Sequence, residues 1–236
     1  MKRHWTIVLL LLMTSTPLLA QGSPALPVGM QLEYGFYKGS LKLGKMEREL
    51  RRGEGDHYVF ESRTRPSGLI AAFYRATLLE RSTFVMENGR AKPLHYLYQR
   101  EGGKKARRNE LVFDWEKQRV SDVADDEAWS AAIPARTVDR HLYQLNVMFD
   151  MVGSPAELEY LVADRGEVKT YHIVNLGKET VKTPLGKLDT VKLQRTSKNR
   201  TTTVWCAPAY QFLPVQIEQN EKGEVFRSVI EKISGL

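Results

Sequence analysis

Apolar residues recur at every second position along most of this chain, in short runs separated by turn residues. Leu32, Tyr34 and Phe36 fall on one side of a segment from Met30 to Tyr37, because alternate side chains of an extended chain point to opposite faces. Lys38-Gly39-Ser40 turns the chain into a second strand from Leu41 to Leu50. A loose tip at Arg52–Asp56 leads to a third, Tyr58 to Thr64, with Tyr58 and Phe60 on one face. Pro66-Ser67-Gly68 breaks the pattern, and Leu69 to Tyr74 is apolar all round, as in a helical turn or a buried strand entry. Arg75 to Glu87 and Pro93 to Arg100 flank Asn88-Gly89, a strong two-residue hairpin signal. Leu111, Phe113 and Trp115 alternate along a further strand, and Gln118 to Val123 pairs back.

The period changes once. Leu142, Leu145, Phe149 and Val152 recur at helical spacing with Met148 beside them, predicting a helix over Asp139–Val152. Thr137 or Asp139 is placed to cap it, and Gly153-Ser154-Pro155 stops it. Strand patterns then resume at 157–162 and 168–176 and on either side of the tight turn Thr183-Pro184-Leu185-Gly186. Thr201 to Cys206, Val215 to Gln219 and Val225 to Ile233 complete the set. Strands joined by short loops predict an antiparallel arrangement. The expected fold is mainly β: one domain over 23–236, a curved, open, barrel-like sheet (a half-barrel) with a single helix packed against it.

Several strands are apolar on both faces. Tyr171 and Ile173 alternate with Val168, Val174 and Leu176, while Phe226 and Ile230 alternate with Val225, Val229 and Ile233. A sheet with one face in water alternates more cleanly. One explanation is a filled core under both faces. The other is a concave groove in which Tyr34, Phe36, Tyr96, Tyr98, Trp115 and Trp205 receive an acyl chain or an apolar peptide.

The N-terminus alters this picture by saying where the domain goes. Lys2 and Arg3 precede an apolar run from Ile7 to Met13, and Pro17-Leu18-Leu19-Ala20 follows. That is the layout of a cleaved secretory signal peptide, residues 1–20, with cleavage after Ala20 or, failing that, after Gly22. Thr14-Ser15-Thr16-Pro17 interrupts the run short of the roughly 20 apolar residues a membrane span needs. No later stretch is apolar enough to be a transmembrane helix, so the mature chain is expected in the periplasm. Losing Lys2 and Arg3 takes the formal charge from +7 to +5, a mildly basic balance that suits an anionic surface. Export argues against nucleic acid as a partner. Cys206 is the only cysteine, so no intramolecular disulfide forms and a buried thiol is expected there.

The densest basic run, Lys104-Lys105-Ala106-Arg107-Arg108, lies on a hairpin tip. Lys104, Lys105, Arg107 and Arg108 could contact anionic head groups or a partner, or simply keep an edge soluble. Acidic residues 122–127 lack the spaced oxygens and turn glycine of a calcium loop, so no metal is expected, and nothing in the chain implies a cofactor. His57, His95, His141 and His172 are scattered, none in a zinc pattern; His141 is expected at the surface and His172 within a strand. Ser67-Gly68 lacks a nucleophile-elbow frame. No catalytic residue can be named, although a hydrolase site assembled across strands, with paired carboxylates such as Asp125-Asp126, stays open.

A set of local patterns in fixed order resembles one family. They are Asn88-Gly89 before Pro93, Phe113-Asp114-Trp115, Asp139 ahead of Leu142 and Leu145, and Glu179 with Thr183-Pro184-Leu185-Gly186; Val204-Trp205 and Leu213-Pro214-Val215 complete the set. Together they resemble the exported bacterial family known as domain of unknown function 3108, over nearly all of the mature chain. The resemblance implies a mainly β domain, related in shape to the open half-barrels of periplasmic lipoprotein carriers, and brings no catalytic residues with it. The function expected is therefore that of a non-enzymatic periplasmic protein binding a lipid, a lipoprotein or another envelope component. The alternative is an envelope interaction or scaffold protein without a small ligand.

Overall fold

The computed structural model of the chain describes residues 26–236 except 69, 74, 104–105, 125–128 and 165. The predicted signal peptide, Lys104, Lys105 and the Asp125-Asp126 pair lie outside the described residues. The described chain opens with β1 (Gln31–Lys38), β2 (Leu41–Arg52), β3 (Tyr58–Pro66), β4 (Thr77–Glu87), β5 (Arg90–Glu101), β6 (Arg107–Asp114), β7 (Arg119–Asp122) and β8 (Ser130–Ala132). A single turn of helix, α1 (Ile70–Phe73), interrupts them where Leu69–Tyr74 is apolar all round. The two-residue β9 (Val138–Asp139) and helix α2 (Tyr143–Asp150) follow. The chain ends with β10 (Glu157–Asp164), β11 (Glu167–Thr183), β12 (Gly186–Ser197), β13 (Arg200–Ala207), β14 (Leu213–Glu221) and β15 (Glu224–Ser234).

All the strands belong to one sheet in the order β8-β7-β6-β5-β4-β3-β2-β1-β15-β14-β13-β12-β11-β10-β9. Each limb is a meander of consecutive antiparallel strands, and the limbs join where β1 pairs with β15, Leu32 opposite Ile233 and Tyr34 opposite Ile230. Among the described residues, only the short β9–β10 contact is parallel. The sheet is unclosed, with the shortest strands at its two edges. Register slips at Glu33/Tyr34, Phe36/Tyr37, Thr83/Phe84 and Trp205/Cys206 supply the local bends that a curved sheet requires. Curvature brings the limbs together: Ala163 and Val168 of the second pack with Tyr96, Leu111 and Phe113 of the first.

Helix α2 fills the inside of this curve. Leu142, Leu145, Met148 and Phe149 meet Tyr34, Leu50, Phe60 and Phe84 of the first limb. Val147 and Met151 meet Tyr160, Tyr171, Ile173 and Leu193 of the second. The helix is shorter than the predicted 139–152. Val138 and Asp139 are taken up in pairing with β10, and the chain tightens to a 3-10 turn over Met151–Gly153. Val152, expected in the apolar stripe, is 51% exposed in that turn. Asn146 is buried within the stripe and serves the sheet: its Oδ1 accepts from Ala91 N–H at 2.9 Å and its Nδ2 donates to Ala91 O at 3.0 Å. Those groups of Ala91 are free because β6 pairs with β5 only opposite His95–Arg100.

The double-sided apolarity resolves unevenly. Tyr171 and Ile173 are buried while Val174 and Leu176 are exposed; Ile230 is buried and Phe226 half-buried. One close approach depends on a glycine. A Cβ on Gly44 would lie 2.3 Å from the Arg65 carbonyl oxygen across the β2–β3 pair. Gly44→Ala is expected to cost about 1–3 kcal/mol through the forced strand shift, read as a lower urea midpoint at unchanged slope.

Candidate functional site

Among the described residues, polar side chains on the inward face form a cluster whose composition resembles catalytic machinery. Strand register sets it up. Arg48, Ser62, Glu80 and Tyr98 stand opposite one another across β2–β5. The adjacent row carries Leu50, Phe60, Ser82 and Tyr96. The end of β9 and the turn after it set Asp139, Arg140 and His141 against these rows.

Asp139 Oδ1 accepts from the backbone N–H of His141 at 2.9 Å and of Leu142 at 2.7 Å, so it holds the turn before α2 as a cap holds a helix. It also accepts from Ser82 Oγ at 2.9 Å. His141 Nδ1 lies 3.3 Å from Ser82 Oγ and its Nε2 lies 3.0 Å from Ser62 Oγ. Since Ser82 spends its proton on Asp139, the chain closes with Nδ1–H donating to Ser82 and Ser62 donating to Nε2, an assignment made from the network. Phe60 stacks on the imidazole at 4.3 Å.

Electrostatics follow from burial. Desolvation pushes the Asp139 carboxyl up to about 7, against the pull of its backbone and Ser82 hydrogen bonds. Desolvation holds His141 well below its ordinary value, helped by the charges of Arg48 and Arg140, so the ring is neutral. Arg140 lies 3.2 Å from Glu80 and 3.7 Å from Asp164, and 5.0 Å from the Tyr98 ring centre. Burial opposes its charge, but Glu80, Tyr96 and Asp164 outweigh that and raise its pKa. One guanidinium thereby ties β4 of the first limb to β10 of the second.

Serine, histidine and aspartate thus meet, but not in the serine–histidine–aspartate order of a catalytic triad. Ser82 intervenes between His141 and Asp139, and Ser62, the residue placed to act as nucleophile, is 4% exposed. A nucleophile must reach its substrate. The cluster is a socket for the 139–142 turn. His141, expected at the surface, is completely buried, because the inward-facing serines of β3 and β4 give its ring nitrogens partners.

The aromatic candidates fall in three places. Tyr96, Tyr98 and Trp115 gather in the cluster where the limbs meet. Tyr96 donates to Glu80 Oε1 at 2.9 Å, and Trp115 Nε1 donates to Pro93 O at 2.7 Å. Tyr34 and Trp205 belong to the main core, Tyr34 donating to Pro214 O at 2.7 Å. Phe36 stands apart, stacked on Phe226 at 5.8 Å. Among the basic candidates, Arg107 and Arg108 are exposed on β6, and Arg108 pairs with Glu110. Cys206 is buried and its thiol is pushed up to about 12 by desolvation. His172 lies in β11, 3.2 Å from Glu159.

Two cavities have polar linings. One of about 320 Å³ is bordered by Glu33, Glu47, Glu49, Glu61 and Arg63. The other, about 480 Å³, runs over β11–β15 beside Glu179, Lys192, Glu218 and Arg227. Among the described residues, no group of three His, Cys, Asp or Glu side chains converges to hold a metal, and no helix is long and apolar enough to cross a membrane.

Residues 31–225 match the family described as protein of unknown function DUF3108. This chain belongs to the DUF3108 family. Its fold has a solved counterpart in a beta-barrel-like protein of the domain of unknown function DUF1849 from Brucella abortus. That protein aligns over 88% of this chain and 98% of its own at 9% identity, with a TM-score of 0.56. A Bacteroides fragilis protein with a YmcC-like fold aligns over 88% of this chain and 96% of its own at 13% identity, with a TM-score of 0.33. At such identities the DUF1849 likeness speaks for the fold alone. Among curated proteins, none matches this DUF3108 chain.

Ser62, Glu80 and Ser82 were missed by sequence reasoning, though they left a trace: each is polar at the inward parity of a strand whose neighbours, Phe60 and Phe84, are core residues. Nothing local marks Arg140 as the tie between limbs.

Proposed function

We propose that this DUF3108 protein is an exported, non-enzymatic component of the cell envelope that works by binding another envelope protein through its outer surface. The reading rests on one observation above all: α2 occupies the inside of the curved sheet and packs against both limbs. A half-barrel that carries an acyl chain needs that space empty. Tyr34, Tyr96 and Trp205, which would line such a groove, are buried in protein contacts instead. The most enzyme-like cluster is sealed.

The test has two parts. N-terminal sequencing of the protein recovered from the periplasm is expected to begin at Gln21, or at Ser23 if cleavage follows Gly22. Crosslinking in intact cells is expected to trap a protein partner, and mass spectrometry of native preparations to show no lipid held in stoichiometric amount. A bound amphiphile in that ratio would refute the proposal in favour of a carrier.

A further inference from the structure

The longest strand overhangs its neighbour. β11 runs for 17 residues and β10 for only 8. β10 starts at Glu157 opposite Val174, and the last backbone contact on that side is Asn175 N–H to Ala156 O at 2.8 Å. Beyond it β11 continues to Thr183 with β12 on one flank and, among the described residues, no strand on the other. Residues 176–180 and Lys182 are exposed. The Thr190 hydroxyl donates to the Glu179 carbonyl, so Glu179 turns its backbone towards β12. Alternation along an antiparallel strand then turns the amides and carbonyls of Lys178, Thr180 and Lys182 to the open side.

Side-chain charge at this edge is mainly positive: its acids are Glu179, which pairs with Lys192, and Asp189, which accepts from the Thr180 hydroxyl at 2.8 Å. Among the described residues, Lys178, Lys182 and Lys187 have no carboxylate within ion-pair distance, whereas Lys192 on the same hairpin sits 2.9 Å from Glu179. Lys182 stands directly opposite Lys187, and like charges facing each other across a strand pair are unfavourable. Exposed Leu176 and Leu185 lie at the two ends of the segment. Lysines are a usual guard against edge pairing, and this set repels a second copy of itself. An acidic strand meets no such barrier and relieves the lysine repulsion.

We propose that the Leu176–Thr183 edge of β11 is a strand-addition site for an acidic, extended segment of a partner protein. The proposal rests on the interaction reading above and names the chemistry of the partner. Backbone pairing would supply affinity and the lysines selectivity.

The test uses the mature chain and two synthetic peptides of equal length, one alternating Glu and Val and one alternating Lys and Val, followed by fluorescence anisotropy. The Glu–Val peptide is expected to bind, with affinity falling as salt rises, and the Lys–Val peptide not to bind. The combined variant Lys178→Glu, Lys182→Glu, Lys187→Glu is expected to weaken Glu–Val binding by roughly tenfold or more. Thr180→Pro removes an outward amide and is expected to abolish binding, with Thr180→Val as the control that keeps it. Should Thr180→Pro fail to fold, a Glu–Val peptide N-methylated at alternate residues asks the same question of the wild-type chain. Absence of Glu–Val binding overturns the proposal. So does binding that survives both proline and N-methylation, which would leave a lysine patch without strand pairing. If the charge-reversed variant still crosslinks to the wild-type partner in cells, the edge is wrong and the interaction reading stands. If the wild-type chain traps no partner, that reading fails whatever the peptides do.

Discussion

Asp139→Ala is expected to lower the unfolding free energy by about 3–5 kcal/mol, because it strips the buried N–H groups of His141 and Leu142 and the Ser82 hydroxyl of their acceptor at one stroke. Asp139→Asn keeps that acceptor and removes the charge, so its effect depends on pH. The sign follows from burial. With the folded carboxyl at about 7 and its ordinary value at 3.8, the folded chain retains between those limits a proton that the unfolded chain has released. This contribution is fully present below the unfolded value and is lost as pH rises through the folded one, a change on the order of 4 kcal/mol. His141 works in the opposite direction. Its folded value lies below 6.5, so its contribution is present above that pH and is lost as pH falls. Urea midpoints across this range should therefore show Asp139→Asn gaining on the wild type as pH rises from acid to neutral. An unchanged difference between the two would mean that Asp139 is ionised in the folded chain.

Leu145→Ala is expected to cost about 3–4 kcal/mol, while Val152→Ala, in what looks like the same apolar stripe, should cost less than about 0.5 kcal/mol. Leu145 is completely buried between the limbs, and Val152 is 51% exposed. An open sheet cannot close over the space a missing Leu145 side chain leaves, since its curvature is held by register and bulges. Cavity cost is therefore retained rather than relaxed away. Thermal or urea unfolding of the two variants settles the comparison. Equal costs would mean that the helix extends through Val152 as its periodicity suggests and that the inside of the sheet is packed differently.

Much of this fold was legible in sequence. Alternation located the strands because each places one parity inside, and Asn88-Gly89 and Thr183-Pro184-Leu185-Gly186 marked hairpins because only certain residues accept those dihedrals. Where reading failed, the reasons are physical. The sequence pattern breaks β11 at Gly177, whose φ of +91° takes a bulge without ending the strand. β8 and β9 are too short to show a period. Helical spacing makes Asp139 the first residue of the helix, and its side chain does hold the chain's entry to α2, but its backbone belongs to the sheet.

The candidate site was less legible than the fold. Six aromatics looked like one surface because residues of the same kind and parity cannot be told apart by which layer covers them. Sequence by itself determined the strand-rich class, the helix, the lone buried thiol and the family, since each follows from local spacing or from the order of motifs. Only the tertiary structure decided that the helix fills the curve, that His141 is buried against Ser62 and Ser82, and that β11 outruns β10. Those depend on how far two limbs joined at β1–β15 curl towards each other, and that angle accumulates over register slips which no single segment encodes.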